Sequence, residues 1–213
     1  MKSLLKSLII VIAFAAPPGF AAEEYPARPI RFIVPMPAGG ALDAAARILG
    51  TNLAELLGQP IVIDNRSGAQ GNIATALGAR AAPDGYTMTL GFAGSLAINP
   101  HLYRNPGYDT FKDFAAVSRT VEIPYILIVN PTLPVKTMKD LELLAKQNPG
   151  KLTFASSSSA SQLSGELFKL TTGTNMVHVP YSGAAPASIA LVAGEVDTIF
   201  TLAPAVLPFI QTS

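Results

Sequence analysis

Cysteine is absent from the 213 residues. That excludes disulfides, thiolate chemistry, cysteine-based metal sites and an acylated-cysteine anchor, and it leaves either redox environment open. Charge is sparse and balanced, with 15 Lys and Arg against 14 Asp and Glu. A net charge of +1 gives no reason to expect nucleic acid or an anionic membrane surface as partner. Histidine occurs only at His101 and His178, far apart and without paired carboxylates nearby, so the case for a metal centre is weak. No G-x-S-x-G elbow supports serine hydrolysis, and only those two histidines could act as its base. Gly39-Gly40-Ala41-Leu42-Asp43 lacks the third glycine of a dinucleotide fingerprint. No internal repeat is visible, and no enzyme or cofactor is expected.

Apolar residues make up 49% of the chain, enough for a sizeable core. The first apolar run, Leu8 to Ala16, is too short to span a membrane, which needs about 20 residues. Lys2 and Lys6 precede it, and Pro17-Pro18-Gly19 and the small residues around Ala21 follow it. Residues 1–21 therefore read as a signal peptide, which places the mature protein outside the cytoplasmic membrane, in the periplasm.

Beyond residue 22 the pattern alternates strand and helix, which points to an α/β fold with mainly parallel strands. Strands are expected at Ile30–Val34, Ile61–Ile63, Tyr86–Phe92, Ala116–Thr120, Tyr125–Asn130, Leu152–Ala155, Met176–Pro180 and Val196–Thr201. Helices are expected at Leu42–Leu57, Ile73–Ala81, Met138–Gln147, Gln162–Thr171 and Ala187–Ala193. In the first helix Leu42, Ala45, Ile48, Leu49, Leu53, Leu56 and Leu57 recur at three and four residues, and Gly58 suits a left-handed cap. Thr137 and Asp140 form an approximate capping box. The pattern changes near residues 120–125. This suggests two lobes, residues 22–122 and 123–213.

The corner Pro37-Ala38-Gly39-Gly40 joins the first strand to the first helix. Helix N-termini present unpaired N–H groups and about half a positive charge. Glycine removes the Cβ that would obstruct an approaching anion. A plain left-handed turn explains the same residues. Asp43, in the first helical turn, suits the dipole, a ligand contact, or orientation of the corner's N–H groups.

The ordered motifs resemble one family. Tyr25-Pro26-x-Arg28-Pro29-Ile30 leads into Ile33-Val34-Pro35-x-Pro37-Ala38-Gly39-Gly40-x-x-Asp43-x-x-x-Arg47. Gly58-Gln59-Pro60, Asn65-Arg66-x-Gly68-Ala69 and Pro83-Asp84-Gly85-Tyr86-Thr87 follow. Then come Asn99-Pro100, Tyr108-Asp109, Asp113-Phe114, Val179-Pro180-Tyr181-x-Gly183 and Gly194-x-Val196-Asp197. The set resembles the Bug family of solute-binding receptors of tripartite tricarboxylate transporters and spans nearly the whole mature chain.

The resemblance implies a type II periplasmic-binding-protein architecture, two α/β lobes closing on a ligand. It implies capture of a small organic carboxylate, no catalysis, delivery to membrane transporter subunits, and a monomer. By resemblance the cleft comprises Pro37, Ala38, Gly39, Gly40, Ala41 and Asp43. It continues through Phe92, Gly94 and Ser95, then Ser157, Ser158 and Ser159, and finally Tyr181 and Thr201. Gly39, Gly40 and Ala41 would donate N–H groups to one carboxylate. Ser95 and a hydroxyl from Ser157 to Ser159 would bind the other end, and Tyr181 would line the second wall. Met36 stands where the family often has an aromatic, Ser182 where lysine is frequent, and serines fill a loop that usually carries glycines before a histidine. Family members also run on past Ser213. The chain therefore reads as C-terminally truncated, and the alternative is a non-functional fragment of such a receptor.

Overall fold

The computed structural model describes residues 24–210, with side chains to residue 208. The signal-peptide expectation, residues 1–21, lies outside the described residues.

β1 (Ile30–Val34) is buried at every position but the half-buried Arg31, as its otherwise apolar sequence requires for a central parallel strand. It lies between β2 (Ile61–Asn65) and β3 (Thr87–Thr89), parallel to both, with Ile30 opposite Ile61 and Phe32 opposite Met88. β3 is shorter than expected, although the Leu90 amide still reaches Ile33 O at 2.9 Å. α1 (Ala41–Leu57) connects β1 to β2 and ends at Gly58 with φ of 66°. Its buried stripe includes Ala46 and Gly50, with Leu42 and Leu49 packed beside the core. A Cβ on Gly50 would lie 3.2 Å from Ile63 Cδ1, so small residues bring α1 against the sheet. Ile48 and Leu56, expected on the inner face, are 64% and 82% exposed. α2 (Asn72–Ala79) and the short α3 (Asn99–Leu102) complete this half, with a π-helical turn at Gly94–Ile98 leading into α3.

The strand expected at Ala116–Thr120 does not form. Those residues are exposed, and among the described residues no strand pairs with them. They belong to the irregular segment that carries the chain to the second sheet. β propensity without a partner leaves the backbone hydrogen bonds to water.

The second sheet has the order β4-β7-β5-β6. β4 (Tyr125–Val129) is antiparallel to β7 (Thr198–Leu202), while β5 (Thr153–Ser156) runs parallel to β6 (Val177–Pro180) and to β7. One face packs Phe154, Phe168, Met176 and Phe200 with α4 (Met138–Gln147) and α5 (Ser159–Thr172). The other packs Ala155, Ile199 and Val196 with α6 (Ala184–Ala193). The capping box on α4 is complete. Thr137 Oγ1 accepts from the Asp140 amide at 3.2 Å, and Asp140 Oδ2 accepts from the Thr137 amide at 2.9 Å.

α5 and α6 begin three residues earlier than expected. Ser158 Oγ caps α5 by accepting from the Ser161 amide, which makes Ser159 and Ser161 helical. Pro186 sits in the first turn of α6, where a missing N–H breaks no helical bond. Two α/β lobes thus face each other, with the C-terminal ends of the parallel strands turned toward a common cavity.

Candidate functional site

A cavity of ≈ 300 Å³ lies between the two sheets. That is the small end of the range for small-molecule sites, about 300–1,000 Å³. Three helices long enough to carry a dipole begin at its wall. Ala41 and Leu42 open α1, Ser157 and Ser158 precede α5, and Gly183, Ala184 and Ala185 open α6.

The double glycine resolves into two roles. Gly39 has φ of +86°, a left-handed conformation, and a Cβ there would meet nothing within 4 Å. Backbone shape, not space, demands glycine. Gly40 is the N-cap, with φ of −91° that any residue adopts, and its nearest neighbour would be Pro37 O at 3.8 Å. The protein itself leaves room for a side chain at position 40. That room belongs to the cavity.

The Gly39 amide is not available to a ligand. It donates to Asp43 Oδ2 at 3.0 Å, and Arg47 Nε donates to the same oxygen at 2.9 Å. Asn65 Nδ2 holds the Met36 carbonyl at 3.1 Å. Asp43 is buried, and it does not line the cavity. Burial pushes its carboxyl pKa upward. Arg47, the Gly39 amide and the Asn65 side chain together outweigh that and hold it below its ordinary 3.8. Of the three readings open for Asp43, the geometry matches orientation of the corner. Among the described residues no protein acceptor lies within hydrogen-bond reach of the Ala41 and Leu42 amides.

On the facing lobe Ser157, Ser158 and Thr201 line the cavity. Tyr125 joins them, its Oη 3.1 Å from Ser158 Oγ. Burial pushes the Tyr125 phenol pKa up, against the opposing pull of Ser158, so the hydroxyl keeps its proton and can donate. Nothing in its sequence context marked Tyr125 beyond its place at a strand start. The segment Thr120 to Ile123 also lines the cavity, although it reads as a connection.

Pro37, Ala38, Gly40, Ala41, Phe92, Ser157, Ser158 and Thr201 are therefore brought together. Gly39, Asp43, Gly94, Ser95, Ser159 and Tyr181 do not line the cavity. Tyr181 packs against the core on the α6 side of the second sheet. Gly94 is wedged beside Phe92, and its Cβ would lie 3.0 Å from Ser159 Oγ. Ser95 is fully buried, its Oγ directed to Phe92 O at 3.4 Å and its carbonyl accepting from Tyr108 Oη.

Ser159 Oγ donates to Asn99 Oδ1 at 2.6 Å, across the two lobes. Asn99 Nδ2 in turn reaches Asn72 Oδ1 at 2.7 Å and Gln70 O at 2.9 Å. A second cross-lobe approach is at Gly183, where a Cβ would stand 3.1 Å from Pro37 Cγ.

The histidines stand apart from this cavity. His178 Nε2 lies 2.6 Å from Ser156 Oγ and stacks on Phe154 at 4.9 Å. Burial pushes its pKa down. Ser156 is buried beneath it, so the pair offers no exposed nucleophile. Among the described residues no group of His, Asp or Glu is placed to hold a metal ion, and no helix is long and apolar enough to cross a membrane.

A family model described as the tripartite tricarboxylate transporter family receptor matches residues 45–213. Protein BugT of Bordetella pertussis is 38% identical over 217 residues, covering 99% of this chain and 67% of BugT. The R. palustris protein Rpa4515, solved with adipate, superposes with a TM-score of 0.86 at 39% identity, over 88% of this chain and 64% of that one. MatC from Rhodopseudomonas palustris, solved with bound malate, gives 0.82 at 32% identity, over 88% and 65%. The chain thus spans about two thirds of the length of these proteins. With two α/β lobes about a cleft and a match over most of its length, the chain belongs to the tripartite tricarboxylate transporter receptor family.

Proposed function

We propose that the protein captures a small organic carboxylate between its lobes, outside the cytoplasmic membrane, and presents it to the membrane subunits of a tripartite transporter. One observation carries the reading: three helix N-termini converge on a cavity between the lobes whose α1 amides, Ala41 and Leu42, have no protein acceptor among the described residues. Such amides, with glycine beside them, favour an anion. The Asp43 brace fixes their direction before any ligand arrives. On the other lobe Tyr125, Ser157 and Thr201 supply hydroxyls, and Ser158 orients Tyr125. Relatives solved with adipate and with malate support a carboxylate as the anion.

Each hydrogen bond to a charged group contributes about 1.5–3 kcal/mol net. Three or four, less the cost of closing the lobes, agree with roughly micromolar binding, about −8 kcal/mol. Titration calorimetry of the purified chain against benzoate, adipate, malate and citrate tests this. Saturable one-site binding of at least one acid is expected. Heat-silent titrations with all four, in a chain that unfolds cooperatively, would remove the proposal.

A further inference from the structure

Resting on that receptor reading, we infer that the site selects carboxylates with an aliphatic or aromatic body and discriminates against hydroxy acids and tricarboxylates. The cavity-lining residues include no Lys, Arg or His. The one charged residue among them is Glu122, and its carboxylate is paired with Arg119 Nη1 at 3.2 Å, both side chains standing largely in solvent. Positive charge to balance an anion therefore comes from the backbone alone, the side chains adding only neutral hydroxyl donors. Three helix N-termini at about half a charge each supply roughly 1.5 positive charges. That lies between the charge of one carboxylate and that of two at opposite ends of a chain. A tricarboxylate exceeds it, and its excess charge would be held away from water without a partner.

The walls between the termini carry the second half of the argument. Met36, Leu42, Leu90, Phe92, Ile123 and Leu202 form them. A ligand hydroxyl placed against these side chains gives up its hydrogen bonds to water and gains none. Apart from Thr120 and the solvent-facing Glu122 on the connecting segment, the polar side chains are those of Tyr125, Ser157, Ser158 and Thr201, and Ser158 is already engaged by Tyr125 and the Ser161 amide. An apolar ligand body fills the same walls favourably.

Calorimetry with benzoate, pimelate, malate and citrate separates this inference from the receptor reading. Benzoate or pimelate is expected to bind at least tenfold tighter than malate and citrate. Malate or citrate binding as tightly as the best of the other two overturns the inference and leaves the receptor reading standing. No binding by any acid to a cooperatively folded chain removes the receptor reading, and the inference with it. Val121 lines the cavity and is half exposed, so Val121→Lys adds the missing cation at a position that tolerates it. That variant is expected to gain affinity for citrate relative to benzoate severalfold at low salt. An unchanged ratio, with binding retained, contradicts the inference.

Discussion

Ser159 and Asn99, sixty residues apart, meet across the two lobes through a hydrogen bond of 2.6 Å, both side chains buried. Ser159→Ala leaves the Asn99 carbonyl oxygen without that donor and away from water. The expected loss is about 1–3 kcal/mol of unfolding free energy, read from the denaturant midpoint at constant slope. A change below a few tenths of a kcal/mol would show that the contact carries nothing.

The two glycines of the corner should separate stability from binding. Gly39→Ala forces an L side chain into φ of +86°, and about 1–2 kcal/mol of stability should be lost. Gly40→Ala meets no protein atom closer than 3.8 Å, so its melting behaviour should stay near that of the parent. Its methyl group enters the cavity, however, and carboxylate affinity should fall about tenfold or more. Equal effects of both substitutions on stability would contradict the assignment.

Asp43 ties the corner's stability to pH. Its carboxyl is held below the ordinary 3.8 in the folded chain. Its contribution is therefore complete above about pH 4 and is lost as pH falls through the lower folded value. Asp43→Asn should be less stable than the parent at pH 7 by about 1.5–3 kcal/mol, the range for hydrogen bonds to a charged group. The two stability curves should converge on acidification below pH 4. A gap that persists or widens there would mean the carboxylate is not the source.

Tyr125 is expected to act on ligand more than on folding. Tyr125→Phe removes one donor from the second wall and keeps the ring. Affinity should fall by about 1.5–3 kcal/mol, about tenfold or more, with the melting transition nearly unchanged. Unaltered affinity would place the hydroxyl outside the bound ligand's reach.

Much of the fold was legible because the sheets follow local signals. Ile30–Val34 reads as a buried parallel strand, and Thr137 with Asp140 marks the start of α4 to the residue. The inner face of α1 was legible only in part. Leu42 and Leu49 do pack beside the core, but close helix–sheet packing also selects Ala46 and Gly50, and Ile48 and Leu56, at equally regular spacing, are left outside. The site was legible as a set of strand-to-helix corners, and less so residue by residue. Gly39 and Ser159 carry the right chemistry, but Asp43 and Asn99, their acceptors, claim them. Those partnerships depend on side-chain direction and on how the lobes meet. Tyr125 was missed because a tyrosine at a strand start looks the same whether it faces a cavity or solvent.

The most direct test of the central claim is an amide-resolved NMR titration of the labelled chain with benzoate and pimelate. Saturation is expected to move the Ala41 and Leu42 amide protons downfield as they acquire a carboxylate acceptor, while the Gly39 amide, already bonded to Asp43, moves little. Saturable binding that leaves Ala41 and Leu42 unshifted would contradict the account.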